Sequence, residues 1–270
     1  MTGRIETRAL MPSFGVEISG LDLSQPIEAD NADTLRALFA EHRLLLLHDP
    51  NLSDAGQANF ARLFGETSQR ERNKETIASA DNQFVSNARP DGIFGKGELD
   101  FHMDQLFLEH PLTALILYAV EIPASGGGTK FVDTEATYRK MPDSLKSRIN
   151  GLHCRHARDY DAQTTKDWNV VESSEDRPSW IHPLTRVDPD TGERAIWVNR
   201  ITTLGIEGLP DKESRALIDE IRGYLYDDAL TYHHRWNPGD LILWDNQVLQ
   251  HARTAFDPDA PRTLRRTAII

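Results

Sequence analysis

His102 and Asp104 stand one residue apart in Phe101-His102-Met103-Asp104, and the stretch that best completes them, Trp244–Arg266 with His251 near its middle, lies far along the chain. Along a β-strand, residues i and i+2 point to the same face. The pair can therefore grip one ion while Met103 points away, and the third ligand must come from a distant, facing strand. Any fold that satisfies this must bring two remote strands together. Two imidazoles and one carboxylate on one side of a metal leave positions open, which suits non-haem Fe(II) that must also bind a co-substrate and O2. Taken alone, a His-x-Asp triplet is weak, because an exposed His and Asp at a strand end are spelled the same way. Its meaning comes from context.

The rest of the chain reads as short strands with a few helices. Ile5–Leu10 and Val16–Ile18 are short strands broken by Gly15 and Gly20, and Arg43–His48 (RLLLLH) is a buried strand. Leu112–Val120 suits a central strand, Thr129–Val132 follows the Ser125–Gly128 turn, and Leu264–Ile270 closes the chain. The glycine run is not a phosphate loop, since no Gly-Lys-Ser/Thr follows it. Two hairpins are expected: Ile181–Val187 with Ala195–Asn199, and Tyr232–Trp236 with Leu241–Trp244 across Asn237-Pro238-Gly239. Asn31–Asp33 opens a helix, Ser53 caps a second that Gly65 ends, and Glu135–Met141 and Ser144–Ile149 are helical. Lys212–Tyr226 is the longest helix, with Leu217, Ile221, Tyr224 and Leu225 on one face. Thr67–Leu99 reads as a long loop beside the site and Asp159–Ser179 as a polar insertion. The pattern implies a mainly β fold with helical insertions, a jelly roll spanning residues 1–270 as one domain.

Charge and cysteine content narrow the partners. With 42 acidic and 30 basic residues the formal net charge is −12, which disfavours nucleic acid or an anionic membrane as a partner. A single cysteine, Cys154, permits no intrachain disulfide and fits a reducing, cytoplasmic setting. The first residues lack the apolar core of a signal peptide, and no apolar run approaches membrane-spanning length. The expected partners are a small molecule and further copies of the chain.

Eight segments carry a resemblance: GVEISGLDLSQPI, HRLLLLHDPNLS, FARLFGE, FHMDQLF, PASGGGTKFVDTEATYRKMP, IHPLTRVDPDTGERAIWVN, WNPGDLILWDNQVLQHAR and PRTLRRTAI. In order and spacing the chain resembles the taurine dioxygenase/2,4-dichlorophenoxyacetate dioxygenase family of Fe(II)- and 2-oxoglutarate-dependent oxygenases. The resemblance implies a double-stranded β-helix, cupin-like, with His102, Asp104 and His251 on iron. It also implies that Thr129 and Arg262 hold 2-oxoglutarate, O2 being the second co-substrate. Arg266 falls where the taurine enzyme binds its sulfonate. Arg70 stands where that enzyme uses a second histidine, a departure that points away from taurine itself.

Physical chemistry is consistent with those roles. The far carboxylate of 2-oxoglutarate needs a fixed cation; arginine offers a planar two-pronged donor, and a threonine hydroxyl can add one hydrogen bond. Taken in isolation, Arg262, Arg265 and Arg266 read equally as a basic patch on a solvated face, and Thr129 as an ordinary strand threonine. Strand alternation puts Arg262, Leu264 and Arg266 on one face and Arg265 on the other. His182 reads as a packing residue, and His153, His156, His233 and His234 as surface or supporting residues. Trp236 and Trp244 read as core. Asp245 and Asn246 either orient His251 or form a turn. The reaction expected is oxidation of an unactivated C–H bond in a small anionic carboxylate, sulfonate or sulfate, coupled to decarboxylation of 2-oxoglutarate to succinate and CO2. Hydroxylation is the usual outcome; cleavage to a carbonyl follows where the carbon bears a heteroatom. The rival from another class is a non-catalytic jelly-roll binding protein or a structural metal site, separated from the oxygenase by metal identity and by 2-oxoglutarate-dependent succinate release.

Overall fold

The computed structural model describes residues 4–68, 82–93, 95, 97–157, 178–189 and 191–270. Its elements, in chain order, are strands β1 (Glu6–Ala9) and β2 (Val16–Ser19), helix α1 (Ala29–His42), β3 (Leu44–Leu47), α2 (Asp54–Ala61), β4 (Gln83–Ser86), β5 (Gly92–Ile93), β6 (Leu99–His102), β7 (Ala114–Glu121) and β8 (Thr129–Asp133). There follow α3 (Thr134–Lys140), α4 (Asp143–Ile149), β9 (His153–Ala157), β10 (Ser179–Pro183), β11 (Thr185–Val187), β12 (Arg194–Ile196), β13 (Thr203–Ile206), α5 (Asp211–Leu225), β14 (Thr231–His234), β15 (Leu241–Asp245), β16 (Leu249–Arg253) and β17 (Thr263–Ile269).

Two sheets form the frame. The larger has the order β1-β2-β3-β15-β7-β17-β4-β5 and the smaller β14-β8-β16-β6. Between them lie Leu44, Leu46, Leu115, Leu117, Ile242, Trp244 and Leu264 from the larger sheet, packed with Phe131 and Leu249 from the smaller. The alternate residues Leu45, Leu47, Ile116, Leu241 and Leu243 point to the opposite face, where Leu35 of α1 and Phe60 of α2 cover them. This accounts for the uninterrupted apolar run of β3: a strand buried on both faces has no polar side to alternate with. Ser53 caps α2 as its hydroxyl accepts from the Gly56 N–H. The two facing sheets with helices outside are the jelly roll expected.

Several local readings are corrected. Tyr232–Trp236 and Leu241–Trp244 do not form a hairpin: β14 pairs with β8, whereas β15 lies between β3 and β7 in the other sheet. An apolar strand such as β15 gains more by sitting between two buried neighbours than beside a half-exposed one. Thr67–Leu99 is not loop throughout, because β4 pairs with β17 along Gln83–Ser86 and with the two-residue β5; four residues leave little periodicity to read. Helix α1 begins at Ala29, two residues ahead of Asn31, without a side-chain cap. On α5 the buried face is Leu217, Ile218, Ile221 and Leu225, while Tyr224 is exposed. Of the hairpin expected between Ile181–Val187 and Ala195–Asn199, only Thr185–Val187 pairs, with Arg194–Ile196, whereas Ile181–Pro183 belongs to β10 and pairs with β9. The segment 158–177 lies outside the described residues.

Leu243, fully buried at the centre of β15 under α1 and α2, reports on this packing. Leu243→Ala is expected to cost about 2–5 kcal/mol, as large-to-small changes in a rigid core do, read as a lowered urea midpoint with an unchanged slope. A midpoint within experimental error of the parent would mean that the helices do not seal this face.

Candidate active site

Strand β16 runs antiparallel to β6 with His251 directly opposite His102. The two imidazoles therefore project side by side into the space between the sheets, their ring centroids 4.1 Å apart. Asp104 lies just past the end of β6 and is held through its backbone. Asn246 accepts from the Asp104 N–H (2.8 Å) and donates to the Asp104 carbonyl (3.0 Å) and the Leu112 carbonyl (2.9 Å). Met103 turns the other way, into an apolar cluster with Leu106, Ala195 and Trp197. Ligand atoms of His102, Asp104 and His251 lie within 4.8 Å of one another, the one such grouping among the described residues.

The chemistry of these atoms fits a cation. His102 Nδ1 lies 2.8 Å from the Asp100 carbonyl, which can only accept, so Nδ1 carries the proton of the neutral ring. That leaves the Nε2 lone pair facing Asp104 Oδ1 at 3.2 Å. Two acceptors at this distance repel unless a cation or a proton lies between them. Burial and the neighbouring His102 push His251 well below the ordinary imidazole range, so it is neutral, as a metal ligand must be. Burial alone would raise the Asp104 carboxyl, but Arg266 and the two imidazoles outweigh it and hold it well below the usual carboxylate range. Two imidazoles and an ionised carboxylate are a donor set suited to Fe(II).

The arginines divide as strand alternation requires. Arg265 faces away from the cavity and binds Gln57 (2.6 Å), the Leu52 carbonyl (2.7 Å) and Asp54. Arg262 and Arg266 line the cavity together with Leu264, Leu117, Val85, Leu99, Trp244, Thr129, Arg253 and the three prospective ligands. Arg266 donates to Asp104 Oδ2 at 2.6 Å and to Gln83 Oε1 at 3.0 Å. The Arg262 Nε donates to the Gly127 carbonyl at 2.9 Å. Among the described residues no carboxylate pairs with Arg262, and burial together with the charge of Arg253 brings its guanidinium down to about 9. A Cβ on Gly127 would sit 2.9 Å from the Arg262 Nε, and its φ is +66°. The glycine run thus makes room for an arginine rather than a phosphate. Thr129 Oγ1 accepts from Trp236 Nε1 at 2.9 Å, which leaves the hydroxyl proton free to be donated into the cavity.

Residues 6–268 match the taurine catabolism dioxygenase TauD, TfdA family. The chain belongs to this family. It is a non-haem Fe(II)- and 2-oxoglutarate-dependent dioxygenase. The chain is 28% identical over 288 residues to the (S)-phenoxypropionate/alpha-ketoglutarate-dioxygenase of Sphingobium herbicidovorans, covering 100% of this chain and 96% of that protein. It is 29% identical over 269 residues to the alpha-ketoglutarate-dependent sulfate ester dioxygenase of Pseudomonas putida, covering 95% and 86%. The crystal structure of a taurine dioxygenase from Burkholderia xenovorans superposes with a TM-score of 0.83 at 26% identity, over 98% of this chain and 89% of that one.

In this TauD/TfdA dioxygenase, the three residues named as ligands from the sequence come together, but sequence reasoning missed some of the residues around them. Asn246 holds the Asp104 segment rather than His251, and Asp245 accepts from the Gln247 and Val248 N–H groups, a turn role, while pairing with Arg43. Trp236 is more than core, since it reaches Thr129; a tryptophan N–H needing an acceptor was the available signal. His156 and His234 are buried, not at the surface, whereas His153 and His233 are exposed. His234 lies 3.1 Å from Asp240 and packs edge-on against Trp236. His182 lies 2.9 Å from the Leu108 carbonyl, a packing role as expected. Arg70 lies outside the described residues.

Asn246→Ala removes the groups that hold the Asp104 backbone while leaving every prospective ligand in place. Metal affinity is expected to fall about 10- to 100-fold, as it does when a supporting partner is lost, with the far-UV spectrum unchanged. Fe(II) or Mn(II) titration of the variant checks this; parent-like affinity would show that Asp104 is placed by other means.

Proposed function

We propose that the chain oxidises a small anionic organic molecule, a carboxylate, sulfonate or sulfate, at a C–H bond, consuming 2-oxoglutarate and O2 and releasing succinate and CO2. One observation carries the substrate class: in a chain with a net charge of −12, the described residues of the cavity wall present Arg253, Arg262 and Arg266 with one carboxylate, Asp104. Acidic proteins that retain buried guanidiniums in a cleft create a local demand for anions. The names of two relatives point the same way, since a phenoxypropionate and a sulfate ester are both anions.

His102, Asp104 and His251 would hold the iron, and Arg262 with Thr129 the distal carboxylate of 2-oxoglutarate. When bound, Fe(II) supplies the centre that activates O2 against the 2-oxo acid. The chain's own groups orient and exclude. Arg266 grips Asp104 Oδ2, so Oδ1 is the oxygen left facing the imidazoles. Its positive charge also lies at the metal side of the cavity, where a substrate anion would sit, with Arg70 as a second contact. Val85, Leu99, Leu117 and Leu264 provide an apolar wall for the carbon body of the substrate. No helix among the described residues is long and apolar enough to cross a membrane. A cytoplasmic setting is supported by Cys154, which is buried and whose thiol burial pushes up to about 12.

The test of the reading is a substrate screen. Fe(II)-loaded protein with 2-oxoglutarate under air should release succinate in step with oxidation of some carboxylates, sulfonates or sulfates. A screen in which neutral or cationic compounds couple and all three anion classes fail would overturn the anionic assignment. Arg262→Ala should raise the half-saturating 2-oxoglutarate concentration roughly ten- to hundredfold, the equivalent of about 1.5–3 kcal/mol for a lost charge-assisted hydrogen bond. Arg262→Lys should recover only part of this, because an ammonium lacks the planar fork; an unchanged dependence in the alanine variant would move the anchor elsewhere. Arg266→Ala should impair substrate-coupled turnover while slow, substrate-independent decarboxylation of 2-oxoglutarate persists. Equal retention of both rates would remove Arg266 from the substrate site.

A further inference from the structure

The cavity contains a third arginine that the roles above do not use. Arg253 is 7% exposed and lies on β16 two residues after His251, hence on the same face. It is the cross-strand partner of Thr129 on β8. Such partners point their side chains the same way, with Cβ atoms about 4.5–5.5 Å apart, so Arg253 stands beside the hydroxyl that Trp236 leaves free to donate. The guanidinium carbon of Arg253 is 5.7 Å from the centroid of the Phe256 ring, and that of Arg262 is 5.6 Å from the same centroid. The two cations flank one aromatic ring. Arg262 is 2% exposed, so both guanidiniums are buried, and both line the same cavity as Thr129. Two guanidiniums and a hydroxyl donor converging on one cavity match the acceptor pattern of a carboxylate.

We propose that Arg253, Arg262 and Thr129 form one cradle for the distal carboxylate of the 2-oxo acid, with Arg253 a co-substrate-binding residue in its own right. This rests on the 2-oxoglutarate reading above. A carboxylate has two oxygens and about four lone-pair sites, enough to accept from two guanidiniums and one hydroxyl at once. Arg253 also donates from Nε to the Gly97 carbonyl at 2.8 Å, just ahead of β6. A strut that merely holds the approach to β6 would act on the metal end of the site. A carboxylate-binding residue acts on the distal end. The two roles therefore differ in which part of a ligand they sense.

The deciding experiment uses Mn(II)-loaded protein and two chelators with the same oxalyl end: N-oxalylglycine, which carries the distal carboxylate, and N-methyloxamate, which lacks it. Binding is read from water-proton relaxation of the bound Mn(II), independently of turnover. Arg253→Gln should weaken N-oxalylglycine about 10- to 100-fold while N-methyloxamate changes less than about twofold, and Arg262→Gln should behave alike. Arg253→Lys, which keeps the charge, should fall between parent and Arg253→Gln for N-oxalylglycine alone. Loss of Mn(II), or equal weakening of both chelators, in both Arg253 variants would make Arg253 a strut and overturn the proposal. Parent-like binding of N-oxalylglycine by Arg253→Gln would overturn it as well. If the parent protein bound N-methyloxamate as tightly as N-oxalylglycine, no distal carboxylate site would exist, and the 2-oxoglutarate reading would fall with the cradle.

Discussion

Backbone pairing between β6 and β16 sets His251 opposite His102, and a slip of one residue in either strand would turn an imidazole out of the cavity. β16 resists such a slip because it is held on both sides. It pairs with β8 along Leu249–Arg253, and Phe131, opposite His251, is buried in the core between the sheets. β6 is weaker, a four-residue edge strand. Asn246 compensates by fastening the Asp104 segment to the larger sheet through Leu112. The same register that opposes the two histidines also pairs Arg253 with Thr129. One alignment of β16 thus sets both the His102–His251 pair and the Thr129–Arg253 pair on the cavity wall.

Charge inside the cavity runs against charge on the whole chain. The protein is acidic overall, yet its buried cleft carries guanidiniums that are costly to desolvate. Asp104 offsets part of this through Arg266, and the price is that one carboxylate oxygen is committed before any metal binds. Among the described residues, Arg262 has only a carbonyl, that of Gly127, to receive its Nε. The glycine is forced there: its φ is positive, and any β-carbon would collide with the arginine it serves. Guanidiniums already buried in a cleft of the folded protein are prepared for anions, because the desolvation that ordinarily opposes binding has already been spent on folding.

Much of this was legible in the sequence because it follows from strand periodicity. The i, i+2 rule put His102 and Asp104 on one side and Met103 on the other, as found, although β6 ends at His102 and the hydrogen bonds of Asn246, not strand pleating, hold the Asp104 backbone. The same rule separated Arg265 from Arg262 and Arg266. What was not legible depended on pairing between distant segments. Asn246 lies 142 positions from Asp104, and nothing local to either residue announces the hydrogen bonds between them. Arg253 was passed over because an arginine two residues past a histidine has no spacing signature of its own; only its partner across the sheet gives it meaning. The burial of His156 and His234 likewise comes from layers that the chain builds far from those residues.

The most instructive failure is at Asn237–Asp240, where turn residues between two apolar runs read as a hairpin. The turn instead carries the chain from the smaller sheet to the larger. Asp240 secures the crossing by accepting from the Asn237 N–H at 2.8 Å, and its carboxylate also lies against His234 at 3.1 Å and His48 at 2.5 Å. Trp236 sits at the start of this crossing, buried between the sheets, with His234 edge-on against it. A hairpin would have kept β14 and β15 side by side in one layer. The crossing lets Trp236 project inward and place its N–H on Thr129. That bond uses one lone pair of the threonine oxygen and leaves the hydroxyl proton available to the cavity. Local rules gave way where the chain had to reach the site, as expected of segments that trade regular pairing for function.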